Sequence, residues 1–339
     1  MSGKVGIIFI NIGTPKSLST KDVAFYLREF LSDRRVIDIN PILRFLLVNL
    51  IIAPFRSFKS KKAYAEVWTD KGSPLLSLSE SFLEKVKARL PQNVKAVFAM
   101  RYGQPSLKSA VDDLKDCAKI IIFPMYPQYA SASTGSSIEK TFDLFKKKNQ
   151  IPAIHTFFSF YNKDFYINSF VKIIEEHRQK KPFDFLLMSY HGLPERQLAG
   201  ETLDSCRSCD RIKACPKISL TNQYCYRAQC YETSKLIAHK LGLEDDAWTV
   251  SFQSRLGKTP WIKPYTDILL PELAKKNKKN LAVVCPSFTT DCLETLEEIG
   301  LQAKSSWMEN GGESFSLISC LNDDTHWVDS LTDELIKTF

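Results

Sequence analysis

The sequence predicts an α/β fold made of two open, parallel sheets, and three observations predict it. Short apolar runs alternate with longer amphipathic ones through all 339 residues. Several short runs, such as IIIF at 120–123 and LAVV at 281–284, are apolar at successive positions, as strands covered on both faces are. Strand and helix alternate strictly, and parallel strands need such crossovers.

Taken in order, strand 5–12 is a continuous apolar run that stops at Asn11, Gly13 and Pro15, and the amphipathic segment 21–31 follows it. Helical patterns at 78–90 and 107–116 then bracket strand 94–100, and strand 119–123 leads to helix 136–148. Strand 153–158 closes the first group. The second group runs strand 185–190, helix 231–241, strand 248–253, helix 263–276, strand 281–285, helix 289–299, strand 315–318 and helix 326–337, with helix 165–179 ahead of it. Eight strands thus fall into two sets of four. The expectation is two Rossmann-like domains, 1–160 and 161–339, each a four-stranded parallel sheet flanked by helices, with a cleft between them. A closed (β/α)8 barrel has the same strand count and is the alternative, but the connections vary widely in length.

Bulk properties narrow the function classes. An apolar content of 44% without low-complexity tracts excludes a disordered chain. The charge of +8, from 46 Lys and Arg against 38 Asp and Glu, suits anionic partners without identifying one. The N-terminal apolar run ends too soon for a signal peptide, so a cytoplasmic location is expected. No stretch reads as long enough to span a bilayer, the nearest being 42–55, interrupted by Arg44 and Asn49. In a reducing compartment nine cysteines argue for metal or reactive chemistry where they cluster.

Ligands of parallel α/β sheets bind beyond the carboxyl ends of the strands. Those ends here read NIGTP, MRYGQP, FPMYPQYASASTGSS, SYHGLPERQ, SFQSRLGKTPW and CPSFTTDCLE. They carry Tyr, Arg, His, Gln, Trp and carboxylates where a plain turn needs only turn formers. No GxGxxG and no GxxxxGK[ST] occurs, so a dinucleotide or nucleoside triphosphate is not indicated.

Two constellations stand out. His191, between a strand and Gly192, is a base or metal ligand, or else a turn histidine bonded to local backbone. Asp291, Glu294 and Glu298, spaced three and four apart, form one stripe on an α-helix, facing either the cleft or solvent. An imidazole opposite a row of carboxylates in an aromatic pocket suits metal insertion into a porphyrin. Two pyrrole protons must leave, a hard ferrous ion must be relayed by oxygen ligands, and the flat macrocycle needs apolar walls. Tyr102, Tyr126, Trp261 and Phe288 are candidate walls, and Arg101 a candidate partner for a propionate.

The segments NIGTP (11–15), REFLSDRRVI (28–37), YAEVWTDKGSPL (64–75), RYGQP (101–105), FPMYPQYASASTGSS (123–137), SYHGLP (189–194), SFQSRLGKTPWIKP (251–264) and CPSFTTDCLETLEEI (285–299) resemble ferrochelatase, in the family's order and over nearly the whole chain. The resemblance implies the terminal step of haem synthesis, insertion of ferrous iron into protoporphyrin IX. It implies His191 as catalytic histidine and Glu294 as the facing acid. Asp291 and Glu298 extend the carboxylate path, and Arg101, Tyr102, Trp261 and Ser73 lie at the porphyrin. Family members often carry a histidine where this chain has Cys292, which is left out of the catalytic set. A non-catalytic tetrapyrrole carrier needs the pocket but no base opposed to acids.

The apolar segment 41–55 reads as a core helix or, by the same resemblance, as a lip at the pocket mouth that rests on a membrane. That gives peripheral attachment to the inner face of the cell membrane as an expectation.

A cysteine-rich insertion, 200–230, holds Cys206, Cys209, Cys215, Cys225 and Cys230. CxxC followed by further cysteines is a metal-site pattern. Some ferrochelatases hold a [2Fe–2S] cluster through additions of this kind, which implies Cys206, Cys209, Cys215 and Cys225 as ligands, with structural zinc the alternative. Cys230 begins the next helix, where cluster-free relatives also carry Cys. A zinc knuckle for nucleic acid lacks any basic-aromatic surface elsewhere in the chain, so no nucleic-acid partner is expected. Cys117, Cys285 and Cys320 read as buried thiols.

Overall fold

A computed structural model describes residues 3–198, 215–257, 259–276 and 278–339. The chain forms two compact units: Met1–Tyr126, Ala130–Ser159 and Asp323–Phe339 make the first, and Pro127–Tyr129 with Phe160–Asn322 the second.

In the first unit β1 (Val5–Gly13) lies between β2 (Val94–Tyr102) and β3 (Lys119–Pro124), with β4 (Ala153–Thr156) outside β3, giving the order β2-β1-β3-β4, all parallel. β1 is central, so Ile7, Ile8, Phe9 and Ile10 are fully buried, each contributing about 1.5–3 kcal/mol by leaving water. Phe9 meets Phe82 edge-on at 5.2 Å and Phe123 at 5.7 Å. Gly13 ends β1 at φ +118°, and a Cβ there would sit 1.9 Å from the Tyr102 carbonyl oxygen, so the NIGTP turn requires glycine.

The second unit repeats the plan. β5 (Phe185–His191) lies between β6 (Trp248–Gln253) and β7 (Asn280–Val284), with β8 (Ser314–Leu317) beyond, in the order β6-β5-β7-β8. Leu187, Leu281, Val283, Phe315 and the fully buried Trp307 form its core, and Trp307 Nε1 donates to the Ser314 carbonyl at 2.9 Å. Two separate four-stranded sheets rule out the closed barrel.

Three features depart from the sequence pattern. The pattern assigns everything after residue 160 to the second half. In the structure helix Thr325–Ile336 belongs to the first unit, where Trp327 stacks on Phe82 at 6.3 Å and Asp323 pairs with Lys85 at 2.7 Å. Next, the apolar stretch near residue 42 is not cut short. It runs as one helix, Pro41–Val67, with a mean hydropathy of 1.5 in its most apolar window, long and apolar enough to cross a membrane. Arg44 and Asn49 do not interrupt it, because Arg44 donates to the Ile37 and Ile39 carbonyls and Asn49 to the Phe45 carbonyl. Ile42, Phe45, Leu50, Phe55 and Phe58 are all more than 60% exposed, so this is not a core helix. Finally, the carboxylate-bearing helix is a π-helix, Glu294–Ala303.

Candidate active site

The second unit builds a site at the carboxyl ends of its strands. His191 is the last residue of β5 and pairs in register with Gln253 at the end of β6. Its backbone N–H donates to the Ser287 hydroxyl at 3.1 Å, and its Nδ1 lies 2.6 Å from the Gly192 carbonyl. A carbonyl can only accept, so this contact needs a proton on Nδ1, and in the neutral ring that leaves the lone pair on Nε2. The ring sits between two apolar walls, with the Trp261 centroid at 6.5 Å and the Phe288 centroid at 6.3 Å. Trp261 is itself held by its Nε1 on the Leu256 carbonyl at 2.8 Å.

The acids divide into two kinds. Glu294 and Glu298 are part of the π-helix, where i→i+5 bonding brings residues four and five apart onto one side; such segments recur at functional sites. Asp291 precedes that helix and is buried. Its carboxylate accepts from Asn322 Nδ2 at 2.7 Å, Thr295 Oγ1 at 2.9 Å and the Cys320 backbone at 3.3 Å. The single α-helical stripe is therefore not what forms: Asp291 anchors the turn into the helix, and Glu294 and Glu298 start on it.

Glu298 has a distinct setting. Burial pushes its carboxyl up. The Ser254 hydroxyl and backbone N–H and the nearby His191 imidazole act in the opposite sense, and burial prevails. Ser254 N–H donates to one oxygen at 2.6 Å and its hydroxyl to the other at 2.5 Å. To do so Ser254 takes the left-handed conformation, φ +65°, unusual for a residue with a side chain. Gln253, buried, accepts from Ser189 at 2.8 Å and donates to the Glu294 carbonyl at 2.7 Å, so it fixes the start of the π-helix against the strand end. Sequence reasoning missed Gln253 and Ser254 as site residues. The only signal was that both stand in SFQSRLG at a strand's carboxyl end. Cys292, buried and beside Glu294, has its thiol pushed well up by burial first and that acid next, so it is no stand-in for an imidazole base.

The remaining predicted residues lie in the first unit. Arg101 and Tyr102 end β2. Asp33 gathers them: it accepts from Arg101 at 2.5 Å, Tyr102 at 2.9 Å, Ser136 at 2.6 Å and, on its other oxygen, the Arg35 N–H at 2.7 Å. Burial alone would raise the Asp33 carboxyl, but these donors outweigh it and hold it below the ordinary range. Arg101 thus already has a counter-charge, and Tyr102 is fully buried beneath it, its phenol pushed up by that burial. Tyr126 is half-buried, with its phenol likewise raised by burial, and Ser73 is buried, accepting from the Thr14 hydroxyl at 2.8 Å.

With this geometry in place, comparison with known proteins is informative. The ferrochelatase family model matches residues 4–338. The chain belongs to the ferrochelatase family. It is 47% identical over 328 residues to the ferrochelatase of Legionella pneumophila strain Philadelphia 1, covering 96% of this chain and 97% of that one. It is 44% identical over 334 residues to the ferrochelatase of Coxiella burnetii strain Dugway 5J108-111, covering 97% and 92%. The fold is that of the sirohydrochlorin chelatase SirB from Bacillus subtilis subspecies spizizenii, solved in complex with cobalt, with TM-score 0.54 at 11% identity over 99% of this chain and 95% of that one. Membership makes the chain an enzyme that inserts iron into protoporphyrin in haem biosynthesis.

Of the cysteine-rich insertion, Cys206 and Cys209 lie outside the described residues. Cys215, Cys225 and Cys230 are buried, and burial, followed by the neighbouring Cys215 and Cys225, pushes the Cys230 thiol well up. Among the described residues no three His, Cys, Asp or Glu side chains form a metal site by themselves.

Proposed function

We propose that His191 is the base of the insertion reaction and that Glu294 and Glu298 bring the ferrous substrate to it. The observation that carries this reading is the contact of His191 Nδ1 with the Gly192 carbonyl. With Nδ1–H committed to the Gly192 carbonyl, Nε2 is left to accept a pyrrole proton in a pocket walled by Trp261 and Phe288. Glu298, its carboxyl raised by burial and held by Ser254, can bind the cation when ionised and hold a proton once the metal has gone. Asp291 stands behind them as the anchor of the carboxylate path. Trp261 and Phe288 are then the porphyrin walls of the second unit. In the first unit Arg101, Tyr126 and Ser73 are the candidate contacts, and Tyr102, fully buried, supports Arg101 rather than meeting the ligand.

The cysteine-rich insertion is read as a resident [2Fe–2S] site, with zinc the alternative occupant. The fit rests on donor chemistry: three buried thiols share one region, and the Arg227 guanidinium donates to Cys215 Sγ at 2.8 Å, a contact that suits a thiolate ligand. Cys206, Cys209, Cys215 and Cys225 would hold the group, and bound there it supplies a one-electron couple. Cys230 is the deepest of the three described, and it lies inside the helix Tyr226–Lys240, which begins earlier than the sequence pattern suggests, within hydrogen-bonding reach of the Tyr226 hydroxyl. The exposed apolar face of Pro41–Val67 is read as the contact of a cytoplasmic enzyme with the inner face of the cell membrane, through which an insoluble porphyrin arrives.

Anaerobic protein given ferrous iron and protoporphyrin should lose porphyrin fluorescence and gain the haem band. His191→Ala should bind the porphyrin with near wild-type affinity yet form haem at the uncatalysed rate. An active His191→Ala variant would remove His191 from the mechanism.

A further inference from the structure

The helix that follows the insertion starts with two residues whose side chains run back into the active site. Tyr226, directly after Cys225, donates its hydroxyl to the His191 carbonyl at 2.8 Å. Arg227 is 2% exposed and reaches three partners at once: Cys215 Sγ through Nη1 at 2.8 Å, the Lys263 carbonyl through Nε at 3.1 Å, and the Tyr231 hydroxyl through Nη2 at 3.2 Å. Its guanidinium also lies over the Tyr231 ring, 4.6 Å from the centroid. Lys263 comes two residues after Trp261, and that segment is laced to the His191 turn, since the Ile262 N–H donates to the Leu193 carbonyl at 2.9 Å.

We propose that Arg227 and Tyr226 are positioning residues that couple the cysteine-rich insertion to the reacting histidine and its tryptophan wall. The inference rests on the reading of the insertion as a metal-holding site. Arg227 fastens Cys215 to the backbone behind Trp261, and Tyr226 fastens the helix start behind Cys225 to the backbone of His191. Both braces are buried and use backbone carbonyls as their far ends, so a shift of either cysteine is carried to the catalytic turn rather than absorbed at the surface. A group held on Cys215 and Cys225 would therefore fix the backbone that carries His191 and the segment behind Trp261. Releasing it would loosen both ends, the turn of His191 and the segment of Trp261. The guanidinium's planar fork serves three directions together, which an ammonium does not.

The test measures bound metal and acid-labile sulfide in the anaerobic wild type, then release to a chelator and steady-state kinetics in Arg227→Met, Arg227→Lys and Tyr226→Phe. Arg227→Met is expected to release metal about tenfold faster and to lose about tenfold in kcat. Arg227→Lys should fall between. Tyr226→Phe, which removes one hydroxyl and stays folded even if Arg227→Met does not, should release metal as the wild type does yet show the lower kcat. Unchanged kcat in Tyr226→Phe, or faster metal release with unchanged kcat in Arg227→Met, overturns the coupling while the metal site stands. A wild type devoid of metal overturns both.

Discussion

Ser254 offers a sharp test of how the acid side of the site is tuned. Its hydroxyl donates to a half-buried carboxylate at 2.5 Å, and its backbone N–H to the other oxygen at 2.6 Å, so Ser254→Ala deletes one of the short bonds that favour the charged form of Glu298. A hydrogen bond to a charged group is worth about 1.5–3 kcal/mol, and one pH unit of titration midpoint is about 1.4 kcal/mol. Removing it should move the Glu298 midpoint up by about one to two pH units. The assay is the pH dependence of kcat/KM for iron insertion, alongside the titration of carbon-13-labelled glutamate by NMR. The acidic limb should move alkaline by the same amount in both. Ser254→Gly should move it equally, since the hydroxyl is lost there too. The glycine variant should nevertheless be more stable than the alanine one by about 1 kcal/mol, because φ +65° strains any residue with a Cβ. If neither variant moves the midpoint, Ser254 does not tune Glu298 and the account of that acid is wrong.

Three further outcomes follow from the same contacts. Asp33→Ala leaves the partly buried Arg101 without its carboxylate, though still bonded to Ser136, and should lower stability by about 2–3 kcal/mol in urea melts at pH 7. Since the folded Asp33 carboxyl lies below its ordinary value, its contribution is present above that value and is lost only as acid passes the folded midpoint, so the gap between variant and wild type should hold down to about pH 4. Glu298→Gln tests the opposite sign. A raised carboxyl stabilises the fold most below its ordinary value and loses that contribution as pH rises through the folded one, so Tm of the variant minus Tm of the wild type should grow from pH 5 to pH 8; a flat difference would contradict the raised midpoint. Phe45→Asp combined with Phe55→Asp, at positions 63% and 74% exposed, should abolish co-sedimentation with anionic vesicles while sparing turnover of detergent-dispersed porphyrin.

The strands were legible because covering both faces of a parallel sheet demands continuous apolar runs, and all eight observed strands lie within about two residues of the predicted ones, as IIIF and LAVV illustrate. His191 was legible for a related reason, as a polar residue at the end of an apolar strand. The turn of Glu294–Ala303 was not. Ten residues of i→i+5 bonding leave no periodicity that a short sequence can separate from an α-helix, so the relation of Asp291 to Glu294 was read on the wrong pitch. Asp291 also depends on Asn322, 31 residues away, and Glu298 on Ser254, 44 residues away; no local pattern encodes either pairing. Helix Pro41–Val67 was read as shorter than it is because Arg44 and Asn49 look like interruptions until their side chains are seen bonded to nearby carbonyls. The place of the last helix depends on Trp327 meeting Phe82, a match of shapes that hydropathy cannot express.

That last helix has a consequence for how the chain is made. The first unit includes Asp323–Phe339, whose Trp327 completes the core around Phe82. A ribosome delivers residues in order, so the half synthesised first lacks part of its interior until residues 323–339 have emerged. The second unit, contiguous from Phe160 to Asn322 apart from Pro127–Tyr129, has nearly all its residues earlier and is free to close first. Maturation therefore runs against the usual order of synthesis. A truncation of even the last two turns should leave a nascent protein whose later half is folded and whose earlier half is a substrate for chaperones and proteases.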